Sequence, residues 1–210
     1  MHARRHLVPL ACVAGLAVVW VWAAIAPLSR SDWALEQILV VLAVGAAAAT
    51  YRWRPVSDLS YALLALFLAV HLVGSHWSYS NVPGFDWGTG THQNVYDRLV
   101  HFLFGALLWL PATELLRWVM PPPLARGAAG VVAVFAASAL YEVIEWVVVL
   151  IVAPELGAEF LGAQGDPFDA VKDMALGLAG GVAAAALALA ARPALRRSRA
   201  RRPAAVPRAR

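Results

Sequence analysis

Gly127 to Ala153 reads GAAGVVAVFAASALYEVIEWVVVLIVA, and this stretch decides the fold. It is longer than the roughly 20 apolar residues needed to cross the hydrocarbon core of a bilayer. Its apolar residues show no strand-like alternation. Its charged residues are Glu142 and Glu145. A segment this apolar belongs in lipid, where the backbone satisfies its own polar groups as a helix. Working outward, runs of the same kind occupy Leu7–Leu28, Trp33–Thr50, Leu59–His76 and Leu99–Val119 before it, and Ala170–Ala191 after it. Charges or turn residues separate them, as in Ser29-Arg30-Ser31-Asp32, Arg52-Trp53-Arg54-Pro55 and Pro121-Pro122-Pro123. Trp33, Trp53, Trp77 and Trp118 stand near span ends, where an interfacial aromatic belt is expected.

Composition agrees. The 210 residues are 61% hydrophobic and 14% charged, against about 25% charged in soluble domains. The expected fold is all-α, a polytopic six-helix transmembrane bundle over residues 1–192, with a basic, disordered cytoplasmic tail over 193–210. Six spans take about 120 residues, which leaves no room for a separate soluble domain. Cys12 is the single cysteine, so no intramolecular disulfide forms. Arg4-Arg5 followed by an apolar run and Ala24-Ile25-Ala26 mimics a signal peptide, but the run is long and Pro27 follows the cut, so the first span is expected to be retained.

The arginines orient the bundle. Arg4, Arg5, Arg52, Arg54, Arg117, Arg126 and the arginine-rich tail fall on one side if the helices alternate, leaving only Arg30, Arg98 and Lys172 of 17 basic residues elsewhere. That side is expected to be the cytoplasm, with both termini in it. A basic protein of this kind meets lipid headgroups rather than nucleic acid. Membrane lipids are thus the expected partners, and no protein partner is specified. Of 13 acids, only Asp58 and Glu114 fall on the cytoplasmic side.

Ionisable residues in or beside spans are expensive and mark candidate sites. They gather at the ends of the third to sixth spans: His71 and His76; Asp97, Arg98 and His101; Glu142 and Glu145; Asp166, Asp169, Lys172 and Asp173. At 1.5 Å per residue from Gly127, Glu142 and Glu145 lie about 22 and 27 Å along their helix, in the outer third of a core about 30 Å thick. The pairs Asp97/His101 and Asp169/Asp173 are i, i+4, and Ser138, Glu142 and Glu145 form an i, i+4, i+7 stripe, so each set shares a helix face. Carboxylates and imidazoles projecting inward from facing helices are how bundle metal sites are built. Six acids face two fixed cations, an excess that protons, water or a bound cation must relieve. The candidate metal ligands are therefore His76, Asp97, His101, Asp166, Asp169 and Asp173, with Glu142 and Glu145 as candidate catalytic groups. A divalent Zn, Mn or Fe suits imidazole with carboxylate.

Plainer readings stand beside these. Asp166 before Pro167 also reads as an N-cap, with Asp169 in the first turn. Asp97 also reads as a partner of Arg98, His71 as a hydrogen-bonded packing residue, and Glu114 with Arg117 as a local ion pair.

The segments His76-Trp77-Ser78-Tyr79, Asn94 to Phe102, Tyr141-Glu142-Val143-Ile144-Glu145-Trp146 and Phe160 to Asp169 with Asp173 resemble, in order, the YjdF family of bacterial inner-membrane proteins. Trp77 stands where that family more often has Tyr. The resemblance implies location, topology and which residues act together; it implies no reaction. Three functions remain. One is a metal-dependent hydrolase acting at the outer side of the membrane. The second is a cation or proton transporter or sensor. The third is a non-catalytic membrane scaffold. A transporter needs polar groups along the whole path, and the inner half of the spans offers only Glu114 beside Arg117. That favours a one-sided pocket.

Overall fold

The computed structural model describes residues 6–85, 95–152 and 168–200. Among the described residues, six helices are long and apolar enough to cross a membrane, and they form the bundle. They are α1 (Leu7–Ala24), α2 (Arg30–Tyr51), α3 (Asp58–His76), α4 (Val95–Leu115), α5 (Pro123–Val152) and α6 (Asp169–Ala200), with a 3-10 turn at Leu116–Trp118 extending α4. The all-α, six-span reading is what the chain forms. The outer surface is apolar: Val18, Leu42, Val132, Ile151 and Leu187 are each more than half exposed, as side chains facing lipid should be.

Helices α2, α3, α4 and α6 begin earlier than their apolar runs because their first turns are polar. Ser29 caps α2 by accepting from the Asp32 N–H at 3.3 Å, and Ser57 caps α3 by accepting from Ser60 N–H at 3.2 Å. Asp32, Asp58, Asp97 and Asp169 all sit in first turns, where the helix dipole favours an acid. The first span ends early, at Ala24: Ile25 is extended and Ala26 left-handed (φ 49°), so the chain leaves the helix before Pro27, which cannot continue it. At the other terminus the helix does not stop at Arg192 but runs to Ala200, through residues rich in the good helix formers Ala, Leu and Arg.

Helix α4 is central, packed against α3, α5 and α6, while α1 lies on α3. The α4–α6 contact is backbone on backbone. A Cβ on Gly105 would stand 1.9 Å from the Gly177 carbonyl oxygen, and one on Gly180 would stand 2.0 Å from that of Phe102. Gly177 and Gly181, four residues apart on one face of α6, are thus half of a close crossing, and Gly105 is the other half. The apolar core lies between α3 and α4: Phe67, Leu68, Leu72, Tyr96 and Val100, closed by Ala23 of α1 and Val40 of α2.

At the end where α4 finishes, Glu114 accepts from the Ser57 N–H (2.6 Å) and the buried Ser60 hydroxyl (3.0 Å). Arg117 donates to the Pro55 carbonyl at 2.8 Å. The expected Glu114–Arg117 partnership is therefore spent on a second chain segment, with each residue fastening the α2–α3 connection to α4. Replacing Glu114 with Ala removes an ionic acceptor from two donors, and such bonds contribute about 1.5–3 kcal/mol each to charged groups. The variant is expected to unfold in detergent about 2 kcal/mol more easily than wild type, with Gln recovering part of the loss; an unshifted thermal midpoint would contradict this role.

Candidate metal centre

Alternating helices bring the starts of α2, α4 and α6, the end of α3 and the last third of α5 to one end of the bundle. There the buried polar side chains meet. Asp97 and His101 share a face of α4, and Asp173 comes from α6. The α4–α6 glycine crossing sets their separation, because His101 lies one turn before Gly105 and Asp173 one turn before Gly177. One ligand atom from each of Asp97, His101 and Asp173 lies within 4.8 Å of the other two. From α5, Glu142 reaches the same imidazole: His101 Nε2 is 3.5 Å from both Asp97 Oδ1 and Glu142 Oε1.

These separations are longer than an ordinary N–H···O hydrogen bond of 2.7–3.2 Å. They match the edge of a tetrahedron: two ligands each about 2.1 Å from one metal stand about 3.4 Å apart. Three buried oxygens here lack a hydrogen-bond partner among the described residues: Asp173 Oδ1, Glu142 Oε1 and Ser138 Oγ. Asp173 is only 2% exposed and lines the cavity beside His101, which encloses about 50 Å³. That is space for a few water-sized occupants. The cavity wall includes Asp32, Glu36, Asp97, Glu145 and Asp173, and no Lys or Arg among the described residues.

The opposite wall is saturated with hydrogen bonds. His71 Nε2 lies 3.1 Å from the Glu36 carbonyl oxygen, and its Nδ1 lies 2.5 Å from Tyr79 Oη. The carbonyl can only accept, so Nε2 donates, and a neutral ring then accepts the Tyr79 proton at Nδ1. Tyr141 of α5 donates to Glu36 Oε2 at 2.7 Å, and Ser78 donates to Asp32 Oδ2 at 3.0 Å. The turn after α3 aims Tyr79 inward. Ser78 and Tyr79 are both left-handed (φ 47° and 52°), a conformation that costs a non-glycine residue about 1–2 kcal/mol. The Tyr79 N–H bonds the Gly74 carbonyl at 2.8 Å, and its ring lies where a Gly74 Cβ would be, 2.6 Å away. Burial, with the Glu36 and Asp97 charges nearby, pushes the Tyr79 phenol well above its ordinary value near 10, so it remains an O–H donor.

A family model described as "Predicted membrane protein (DUF2238)" matches residues 8–194, from α1 into the last turns of α6. The chain is also 35% identical over 172 residues to "Inner membrane protein YjdF" of Escherichia coli (strain K12), covering 79% of this chain and 81% of that protein. The chain belongs to the YjdF (DUF2238) family. No solved structure matches it. Neither family name states a reaction, so the chemistry of this YjdF-family chain has to be argued from the site itself.

The structure sorts the sequence-selected residues. It brings together Asp97, His101, Asp173 and Glu142, and it places Glu145, half-buried, on the cavity wall. Asp169 is buried but faces Arg98, its Oδ1 3.7 Å from the guanidinium. The expected ligand His76 is not in this group: its Nδ1 lies 3.1 Å from the Ala23 carbonyl oxygen and its ring stacks on Trp22 at 4.5 Å, so it fastens α3 to α1. His71, five residues earlier, lies on the opposite side of α3 and takes the place at the cavity. Asp166 lies outside the described residues. The sequence reading passed over Asp32 and Glu36. Their i, i+4 spacing at the start of an apolar span was the available signal, the same one that selected Asp97/His101 in this YjdF-family member.

Proposed function

We propose that this protein holds one divalent transition metal ion on Asp97, His101 and Asp173, and uses it in hydrolysis at one face of the bacterial inner membrane. The observation that carries this reading is the convergence of two carboxylate oxygens on His101 Nε2 at 3.5 Å, beside a buried Asp173 oxygen with no hydrogen-bond partner. Hydrogen bonding alone leaves that oxygen uncompensated at a cost of about 1–3 kcal/mol, more if charged. One imidazole with two or three carboxylates suits Mn, Fe or Zn. A metal of this kind lowers the pKa of bound water and polarises a substrate carbonyl or phosphoryl oxygen. Glu142, against His101, is positioned as a further ligand or as the base that takes a proton from water, and Glu145 stands on the same cavity wall. The Tyr79–His71 and Tyr141–Glu36 pairs hold the far wall rigid and give the cavity its polar lining.

A transporter is less well supported, because, of the two acids of the opposite half, Asp58 sits in the first turn of α3 and Glu114 is committed to the α2–α3 connection. The test is element analysis of protein purified without chelator. About one equivalent of Mn, Fe or Zn per chain is expected. Absence of metal, together with no thermal stabilisation by any of the three when added, would leave the scaffold reading in its place.

The arginine asymmetry supports both termini in the cytoplasm and the site on the outer side. Reporter fusions after Arg54, Arg126 and Arg192 are expected to report cytoplasm, and fusions near Gly90 and Gly162 the outside. An outside signal after Arg126 would reverse the proposed orientation of the site.

A further inference from the structure

A second, larger cavity lies at the other end of the bundle and is lined by no acid among the described residues. It encloses about 520 Å³ between α1, α2 and α3, and its wall is almost wholly apolar, including Leu10, Val13, Leu16, Val44, Ala47 and Leu68. This volume falls in the range of small-molecule sites, about 300–1,000 Å³.

Its dimensions and its mouth suggest an occupant. Along α1 the lining runs from His6 at the helix start to Leu16. At 1.5 Å per residue that is about 15 Å, or half of a hydrocarbon core about 30 Å thick. The cavity therefore begins at the membrane boundary and stops near the bilayer midplane, which is the depth of one acyl chain in one leaflet. The polar groups are at the boundary: His6 Nδ1 is hydrogen-bonded to Tyr51 Oη, and Tyr61 packs edge-on against Tyr51. Arg52, the next residue, is exposed, and Arg4 and Arg5 precede His6 in the sequence. An apolar slot of leaflet depth, with Arg52 directly following the Tyr51 of its polar boundary, complements an amphiphile with one chain inside and an anionic head outside.

We propose that this slot binds one acyl chain of an anionic phospholipid from the leaflet at the α1 N-terminal end, with its headgroup against Arg52. The bound chain completes the packing of α1 and α2 on α3. The site is independent of the metal centre, and its test does not depend on metal.

The experiment is phospholipid analysis of protein purified and washed in mild detergent. Wild type is expected to retain about one phospholipid per chain, enriched in anionic species over the source membrane. Ala47→Trp and Ala65→Phe, which fill the slot from two helices, are expected to lose it while remaining folded and monodisperse. Added phosphatidylglycerol is expected to slow labelling of Cys12, on the slot wall, by an apolar maleimide more than added phosphatidylcholine does. Arg52→Ala is expected to weaken that protection about fivefold, the contribution of one basic residue near an anionic surface. Equal lipid retention by wild type and both filling variants would mean only general lipid coating and would overturn the proposal. So would equal protection by the two lipids, or a lipid-free wild-type dimer with Cys12 shielded, which would make the face a self-interface.

Discussion

Replacing Gly105 with Ala is expected to separate α4 from α6 and to destabilise the protein by about 3 kcal/mol or more. The new Cβ would stand 1.9 Å from the Gly177 carbonyl oxygen and 2.7 Å from the Gly181 nitrogen. Both are backbone atoms of a helix, so no side-chain rotation relieves the overlap; the helices must part. Overpacking a tight contact ordinarily costs about 1–3 kcal/mol. Here the contact also loses the dispersion that close backbones gain, which is a main source of helix association in lipid. A second effect follows from position. His101 and Asp173 lie one turn from the crossing, so displacement there widens the ligand set. Gly105→Ala is expected to lower both the thermal midpoint and metal content, whereas Gly45→Ala, where an added Cβ meets nothing within 4 Å, lowers neither. A Gly105→Ala protein as stable as wild type would mean that the helices do not approach this closely.

His101→Ala and Asp173→Asn are each expected to lower metal affinity by about 100-fold or more without preventing membrane insertion. Groups that only orient metal ligands already contribute about 10–100-fold to affinity, so loss of a ligand exceeds that range. Insertion should survive because the apolar spans are unchanged. Asp173→Asn is the more informative variant. It keeps the shape but removes the charge, and it supplies an N–H donor for a pocket rich in acceptors. If the site only stores buried acids, this change should stabilise the protein and leave metal content untouched, whereas a metal site loses both metal and metal-dependent stability. His76→Ala serves as the control: it breaks the bond to the Ala23 carbonyl and is expected to cost stability without changing metal content. Loss of metal in His76→Ala but not in His101→Ala would place the centre elsewhere.

The two predictions rest on different kinds of information. The number of spans, their approximate bounds and the all-α fold were legible because the bilayer imposes one rule on every span: about 20 apolar residues with an internally bonded backbone. The level of the polar groups was legible for the same reason, since residue count along a helix is depth. Helical spacing further placed Asp97 with His101 and Ser138 with Glu142 and Glu145.

Rotation of one helix against another was not legible. It is set by the fit of Gly105 against Gly177 and Gly180 against Phe102, contacts between residues far apart in the chain. Those contacts turn Asp173 toward His101 and leave Asp169 facing Arg98. The same holds for the two histidines of α3. Their spacing showed that they occupy different faces, but only packing against α1 and α2 decided that His76 meets Ala23 while His71 meets Glu36. The sequence by itself determined that acids and imidazoles would share one level at one end of the membrane, because hydrophobic length fixes depth. The tertiary structure alone decided which of them face each other, because in lipid the rotation of a helix is fixed by close packing of small residues and by hydrogen bonds between helices.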